Sequence, residues 1–147
     1  MFLRLMSVFF VAALQGLLLA QPVITIKDGD INPGQSVTWT SDNAYLLDGL
    51  VFVEDGATLT IQAGTVIKGK EAPTTGDNTS ALIIARGGKI YALGTATQPV
   101  VFTAESDDVS DPNDLTLNDR GLWGGLLLLG YAEINTTTGV GQIEGIP

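Results

Sequence analysis

Apolar and polar side chains alternate along this chain in short runs, and Gly or Asp ends most of the runs. Val51 and Val53 precede a turn that contains Gly56, and Leu59 and Ile61 follow that turn. A two-residue period is typical of half-buried strands, whereas an amphipathic helix places apolar residues three and four apart. Helical spacing without interrupting Gly or Pro is missing after the first twenty residues. The pattern therefore predicts an all-β protein built from short strands.

The strand pattern also repeats. Residues 53–61 align with residues 84–92 at a constant offset of 31, and apolar residues and Gly fall at the same positions. A weaker third copy covers residues 126–134. Self-similarity at this period indicates a repeat architecture. Because no helix separates the copies, we expect each turn of chain to lie on the previous one as a parallel β-helix, with strands about 4.8 Å apart. The expected stacked pairs are Val53 with Ile84, Leu59 with Ile90, and Ile61 with Ala92.

Gly56 and Gly87 occupy equivalent positions in the two copies, where we expect corners that need positive φ or the absence of a Cβ atom. Polar insertions at 71–80 and 105–119 interrupt the repeat, and insertions in solenoids project from corners. We divide the rest of the mature chain into an N-terminal β cap at 21–50, which leads into the solenoid, and β-helix coils at 51–147. Residues 139–147 resemble the start of another strand without a cap, so we expect the natural protein to continue.

The first twenty residues have the order of a secretory signal peptide. Arg4 precedes an apolar run, and the small residue Ala20 precedes Gln21. The alternative is a membrane anchor, but a spanning helix needs roughly 20 apolar residues, and Gln15 and Gly16 interrupt this shorter run. We expect cleavage after Ala20, a secreted or cell-surface location, and no membrane association afterwards.

Composition excludes several kinds of function. Sixteen acidic residues against seven basic ones give a net charge of -9, which repels nucleic acids. Because the chain has no Cys and no His, it contains no disulfide, thiolate zinc site, Cys nucleophile or His base.

The acidic insertion at 105–119 is the main candidate for metal binding. Carboxylates, amide oxygens and backbone carbonyls are the ligands that Ca²⁺ prefers. The proposed calcium ligands are Asp107, Asp108, Asp111 and Asp114, with Asp119 and Asn113 as further oxygen donors. The alternative is a solvated loop in which Asp and Asn bond their own backbone. Calcium is the only cofactor that the sequence suggests.

Four segments, 45–69, 80–90, 94–104 and 120–125, together resemble the N-terminal region of large bacterial secreted surface proteins. Those proteins contain pectate-lyase-like right-handed β-helices, and many are described as cargo of the type IX secretion system. The resemblance extends over about residues 38–147. It implies a right-handed parallel β-helix at the cell surface or outside the cell, and it implies little chemistry, since most such proteins have no assigned activity.

Two functions stay open from the sequence. The first is a non-catalytic structural or adhesive module that binds a polysaccharide or a cell-surface protein through its corner loops. The second is a carbohydrate-active enzyme whose catalytic residues lie partly or wholly outside this chain. A glycosidase pair at Asp107 and Asp108 would lack shelter for a raised pKa. A lyase, by resemblance to pectate lyases, would use Arg86 or Lys89 as a base beside Ca²⁺, although both fit exposed corner positions. We therefore assign no catalytic residue.

The aromatic residues also have two interpretations. They could form a platform for stacking sugars, or they could complete the core and the ends of the solenoid, which we favour. They are Trp39, Trp123, Tyr45, Tyr91 and Tyr131.

Overall fold

The computed structural model describes residues 21–143, and the expected signal peptide at 1–20 lies outside them. The described chain forms ten strands of four residues each. The strands are β1 (Val23–Ile26), β2 (Ser36–Trp39), β3 (Ala44–Leu47), β4 (Leu50–Val53), β5 (Thr58–Ile61), β6 (Val66–Gly69), β7 (Ala81–Ile84), β8 (Lys89–Ala92), β9 (Val101–Ala104) and β10 (Gly125–Leu128). Within this part of the chain, no helix is suited to crossing a membrane.

The strands form three parallel sheets. Sheet I has the order β1-β3-β6-β9, sheet II the order β4-β7-β10, and sheet III the order β2-β5-β8. One coil consists of β3, β4 and β5, and the next consists of β6, β7 and β8, so each coil contributes one strand to each sheet. Every strand pair is parallel. The molecule is a parallel β-helix, as the sequence predicts.

The core consists of aliphatic rows that run along the axis of the solenoid. Val53 pairs with Ile84, Leu59 with Ile90, and Ile61 with Ala92, which confirms all three predicted stacks. Val53, Leu59 and Ile61 are fully buried. Burying an aliphatic side chain of this size contributes about 1.5–3 kcal/mol. The rows therefore supply the main free energy that holds successive coils in register.

The two predicted corner glycines lie on top of one another. Gly56 and Gly87 have φ angles of 74° and 85°, and the amide of Gly56 donates to the carbonyl of Gly87 over 3.2 Å. This left-handed backbone conformation is costly for residues that carry a Cβ atom. The corner prediction is confirmed at both positions.

The first insertion accounts for the long repeat. Between sheet I strands, Ala44 pairs with Val66, whereas in sheet II Leu50 pairs with Ala81, 31 residues later. The second interval contains the insertion at 71–80, which lies between β6 and β7. The interval from Ala44 to Val66, which contains no insertion, is therefore the length of one coil, and it is shorter than the offset of 31 residues found in the sequence.

The segment 21–50 also contributes to the stack of coils, because β1 pairs with β3 and β2 pairs with β5. Between β1 and β2 the chain makes a turn, and the buried Ile31 of this connection belongs to the core. At the other end, the weaker third copy forms a strand only over Gly125–Leu128, which pairs with Ala81–Ile84.

Candidate functional site

A buried carboxylate lies where β3 ends. Asp48 is only 2% exposed and accepts hydrogen bonds from the backbone amide and the hydroxyl of Thr74, at 2.6 and 2.5 Å. The ammonium groups of Lys27 and Lys70 lie 3.4 and 3.6 Å from the same carboxylate. The arrangement joins three coils and the first insertion around one negative charge.

The surroundings of Asp48 favour its charged form. The hydroxyl of Thr74 makes the largest contribution, and together with the Thr74 amide, Lys27 and Lys70 it lowers the pKa of Asp48 to about 2. Burial acts in the opposite direction, because desolvation disfavours a carboxylate. The hydrogen bonds and the lysines outweigh that cost, so Asp48 stays ionised throughout the physiological pH range.

Further hydrogen bonds fix the first insertion, which we call the clasp loop (residues 71–80). The carboxylate of Asp77 accepts from the amide of Leu50 over 3.1 Å. The hydroxyl of Ser80 accepts from the amide of Gly49 over 3.1 Å and donates to the carbonyl of Lys70 over 2.7 Å. The sequence predicts a corner insertion that projects outward, but the clasp loop folds back on the coil because its polar groups satisfy backbone donors there. These contacts hold the clasp loop against the coil.

Each carboxylate of the proposed calcium site takes part in local hydrogen bonds. Asp107 accepts from the hydroxyl of Thr103, and Asp114 accepts from the amide of Asp108. The carboxylate of Asp108 accepts from the amide and hydroxyl of Ser110 at 3.0 and 2.7 Å. The remaining acids behave in the same way, since Asp111 accepts from Asn113 and Asp119 accepts from Thr116.

These hydrogen bonds also shift the titration of the loop. Ser110 lowers the pKa of Asp108, and Thr116 lowers the pKa of Asp119, because both stabilise the charged carboxylate. Among residues 21–143, no three acidic side chains converge as metal ligands. Calcium binding by Asp107, Asp108, Asp111 and Asp114 stays a prediction, which calorimetric titration tests. No heat at millimolar Ca²⁺ would argue against it.

Arg86 and Lys89 flank the corner glycines Gly87 and Gly88, and both side chains are exposed. Arg86 lines an open groove of about 560 Å³ together with residues 128–132 and 139–143. Gly88 packs so closely on the preceding coil that a Cβ atom would overlap the carbonyl oxygen of Val53. The corner thus holds two cations at the surface beside a backbone that packs closely on the preceding coil.

The aromatic residues divide into a buried and an exposed group. Trp39 and Tyr45 stack with ring centroids 4.7 Å apart, and both are buried. Trp123 is half-buried and packs against Gly69 and the core. Tyr91 and Tyr131 are 50% and 75% exposed. The first three complete the core, and only the two exposed tyrosines are available for stacking on a ligand.

The outer surface of sheet III carries a regular set of polar side chains. Successive strands place Ser36, Thr58 and Lys89 in one row, and Thr38, Thr60 and Tyr91 in the next. We call these six residues the hydroxyl face. The alternate positions of the same strands, such as Leu59 and Ile61, are fully buried in the core.

Comparison with known proteins gives the family. A model of the pectate-lyase-like beta helix domain matches residues 29–145, which is most of the chain. The chain belongs to this family. A search of curated proteins and a search of solved structures gave no match. For this pectate-lyase-like β-helix, the family match agrees with the fold and leaves open whether the domain catalyses a reaction.

Sequence reasoning missed one cluster of this β-helix, the set around Asp48. Its partners Lys27 and Thr74 are far away in sequence, on the preceding coil and on the clasp loop. The one available signal was a carboxylate inside the otherwise apolar stretch 45–53. A lone charge in such a run indicates a buried, paired group.

Proposed function

We propose that this protein is an exported, non-catalytic β-helix module that works at the cell surface or in the extracellular medium and binds glycans or proteins through its outer surfaces. We also propose that the protein comes from a bacterium. Resemblance to type IX secretion cargo supports that setting, and the signal-peptide pattern of Met1–Ala20 supports export.

The observation that supports the non-catalytic assignment is that Asp48, Asp108 and Asp119 are each engaged by local hydrogen-bond donors. Asp48, Asp108 and Asp119 all have lowered pKa values, each because hydrogen-bond donors hold the charged form. A glycosidase needs one carboxylic acid with a raised pKa to protonate the leaving group. The shifted carboxylates of residues 21–143 are therefore suited to holding loops in place and are poorly suited to acid catalysis.

A second candidate function is a carbohydrate-active enzyme, and the corner cations favour it. Arg86 lines an open groove and Lys89 is exposed nearby in sequence, and pectate lyases, which the chain resembles, use basic residues of this type. Both side chains are exposed to solvent, so neither lies in a sheltered site of the kind in which a basic residue acts as a general base.

Incubation with polygalacturonate and Ca²⁺ separates the two functions. We expect no unsaturated product from the purified protein. Formation of that product, with loss on Arg86→Ala or Lys89→Ala, would overturn the non-catalytic proposal. Sequencing the N-terminus of the exported protein tests the location, and we expect it to begin at Gln21. An intact Met1 on the exported protein would contradict signal cleavage.

A further inference from the structure

We propose that the hydroxyl face of sheet III binds a neutral, extended polysaccharide that lies along the solenoid axis. One sugar ring stacks on Tyr91, and the following rings hydrogen-bond to Thr60 and Thr38. This inference rests on the proposed function, because it names the surface and the ligand class that a glycan-binding module would use.

The hydroxyls of this face are not used to hold the protein together. Threonines in the loops bond their own surroundings; Thr74 donates to Asp48, and Thr116 donates to Asp119. Within residues 21–143, by contrast, the structure gives no hydrogen bond to the side chains of the hydroxyl face. A hydroxyl offers one donor and two acceptor positions, which are the complement that sugar hydroxyls require. The face therefore presents an unused set of matching groups.

The spacing of the face suits a polymer of sugars. Thr38, Thr60 and Tyr91 are direct partners on three neighbouring parallel strands, so they follow one another at about 4.8 Å along the axis. One pyranose unit in an extended β-linked chain has a similar length. A polysaccharide along the axis can thus place about one sugar over each coil.

Tyr91 supplies the apolar contact. It lies on β8, the last strand of sheet III, and half of its surface is exposed. Tyrosine has an apolar ring and a polar tip, and its two side-chain torsions lose little entropy on binding. The C–H face of a pyranose ring packs on such an aromatic ring, while the sugar hydroxyls stay available to the threonines.

The net charge of the whole chain favours a neutral ligand over an acidic one. The hydroxyl face itself contains one cation, Lys89, and no acidic residue. The whole chain has a net charge of -9, which repels acidic polysaccharides at longer range. A neutral chain avoids this repulsion and makes the same hydrogen bonds.

Affinity gel electrophoresis with hydroxyethylcellulose and carboxymethylcellulose tests the proposal, because the two polymers share a backbone and differ in charge. We expect hydroxyethylcellulose to retard the protein more strongly. Tyr91→Ala should weaken this binding at least about tenfold, which corresponds to about 1.4 kcal/mol. Tyr91→Phe keeps the ring and should bind nearly as well, and Thr60→Val, which keeps the side-chain shape, should weaken binding several-fold.

Tyr131→Ala is the matched control, since Tyr131 is even more exposed but lies off sheet III. It should bind like the wild type. Absence of retardation by hydroxyethylcellulose, stronger binding of carboxymethylcellulose, or equal losses in Tyr91→Ala and Tyr131→Ala would overturn the proposal. Glycan binding that is unchanged in both Tyr91→Ala and Thr60→Val would show that the hydroxyl face is not the binding surface. The proposed function would still hold in that case. Circular dichroism of each variant checks that it is folded.

Discussion

The central coils and the last coil that the structure describes place similar aliphatic residues in the same rows of the β-helix, yet they bury them very differently. In one row of sheet II, Val53 is 0% exposed, its partner Ile84 is 3% exposed, and Leu128, the next in the row, is 66% exposed. The three residues have the same chemistry and the same register. Only the first two are shielded from solvent by neighbouring residues.

The difference shows that burial in this protein depends on neighbouring coils. A residue of a solenoid contacts the coil before and the coil after it, so stability is close to a sum of intrinsic terms and nearest-neighbour interfaces. A residue within the stack therefore gains the full hydrophobic contribution, while one on the last coil gains part of it. Substitutions can test this directly.

The largest effect is expected from removing a side chain in the middle of the stack. Leu59→Ala leaves a cavity between Val37 and Ile90, which are its partners on the two neighbouring strands. The free energy of unfolding should fall by about 2–5 kcal/mol. Leu128→Ala removes the same group from a side chain that is 66% exposed and should cost less than about 0.5 kcal/mol. Urea unfolding measures both, and similar losses would contradict the nearest-neighbour account.

A smaller effect is expected where two backbones touch. Gly88→Ala places a Cβ atom against the carbonyl oxygen of Val53, and only a backbone shift relieves that overlap. We expect a loss of about 1–3 kcal/mol. Gly130→Ala is the matched control, because nothing lies within 4 Å of the added atom. Thermal unfolding of the two variants compares them; equal midpoints would show that the coils at this corner are not tightly packed.

The smallest of the three effects, and a pH-dependent one, is expected at Asp48. Asp48→Asn removes the charge that joins Lys27, Lys70 and the clasp loop, and at pH 7 it should lower the free energy of unfolding by about 1–2 kcal/mol. Asp42→Asn, which removes an exposed carboxylate, is the control and should change little.

The pH dependence follows from the lowered pKa of Asp48. Its value of about 2 in the folded protein lies below the usual 3.8, so on acidification the unfolded chain takes up the proton first. The contribution of Asp48 is therefore fully present above about pH 4 and is lost as the pH falls towards 2. Urea midpoints of the wild type and Asp48→Asn should converge over this range. A constant difference between them would show that the charge of Asp48 does not stabilise the fold.

Much of the fold is predictable from the sequence because it depends on local alternation and on repetition. The two-residue period gives the strands, and the aligned copies give the contacts of Val53, Leu59 and Ile61 with the next coil, since identical windings place like residues over one another. The corner glycines follow from the same alignment, because the backbone conformation that they adopt is unfavourable for other residues.

The candidate sites depended much more on the tertiary structure. The cluster at Asp48 joins Lys27, Lys70 and Thr74 from separate coils and a loop, and no local pattern encodes the path by which the clasp loop returns. The hydroxyl face could not be predicted from local sequence patterns either. The polar positions of each strand are visible in the sequence, but the pairing of Thr38 with Thr60 and Tyr91 is fixed only when three coils stack in register. The sequence by itself therefore determined the coil and its core, and the stacking of coils decided which polar groups meet, because those groups are brought together by packing between distant segments.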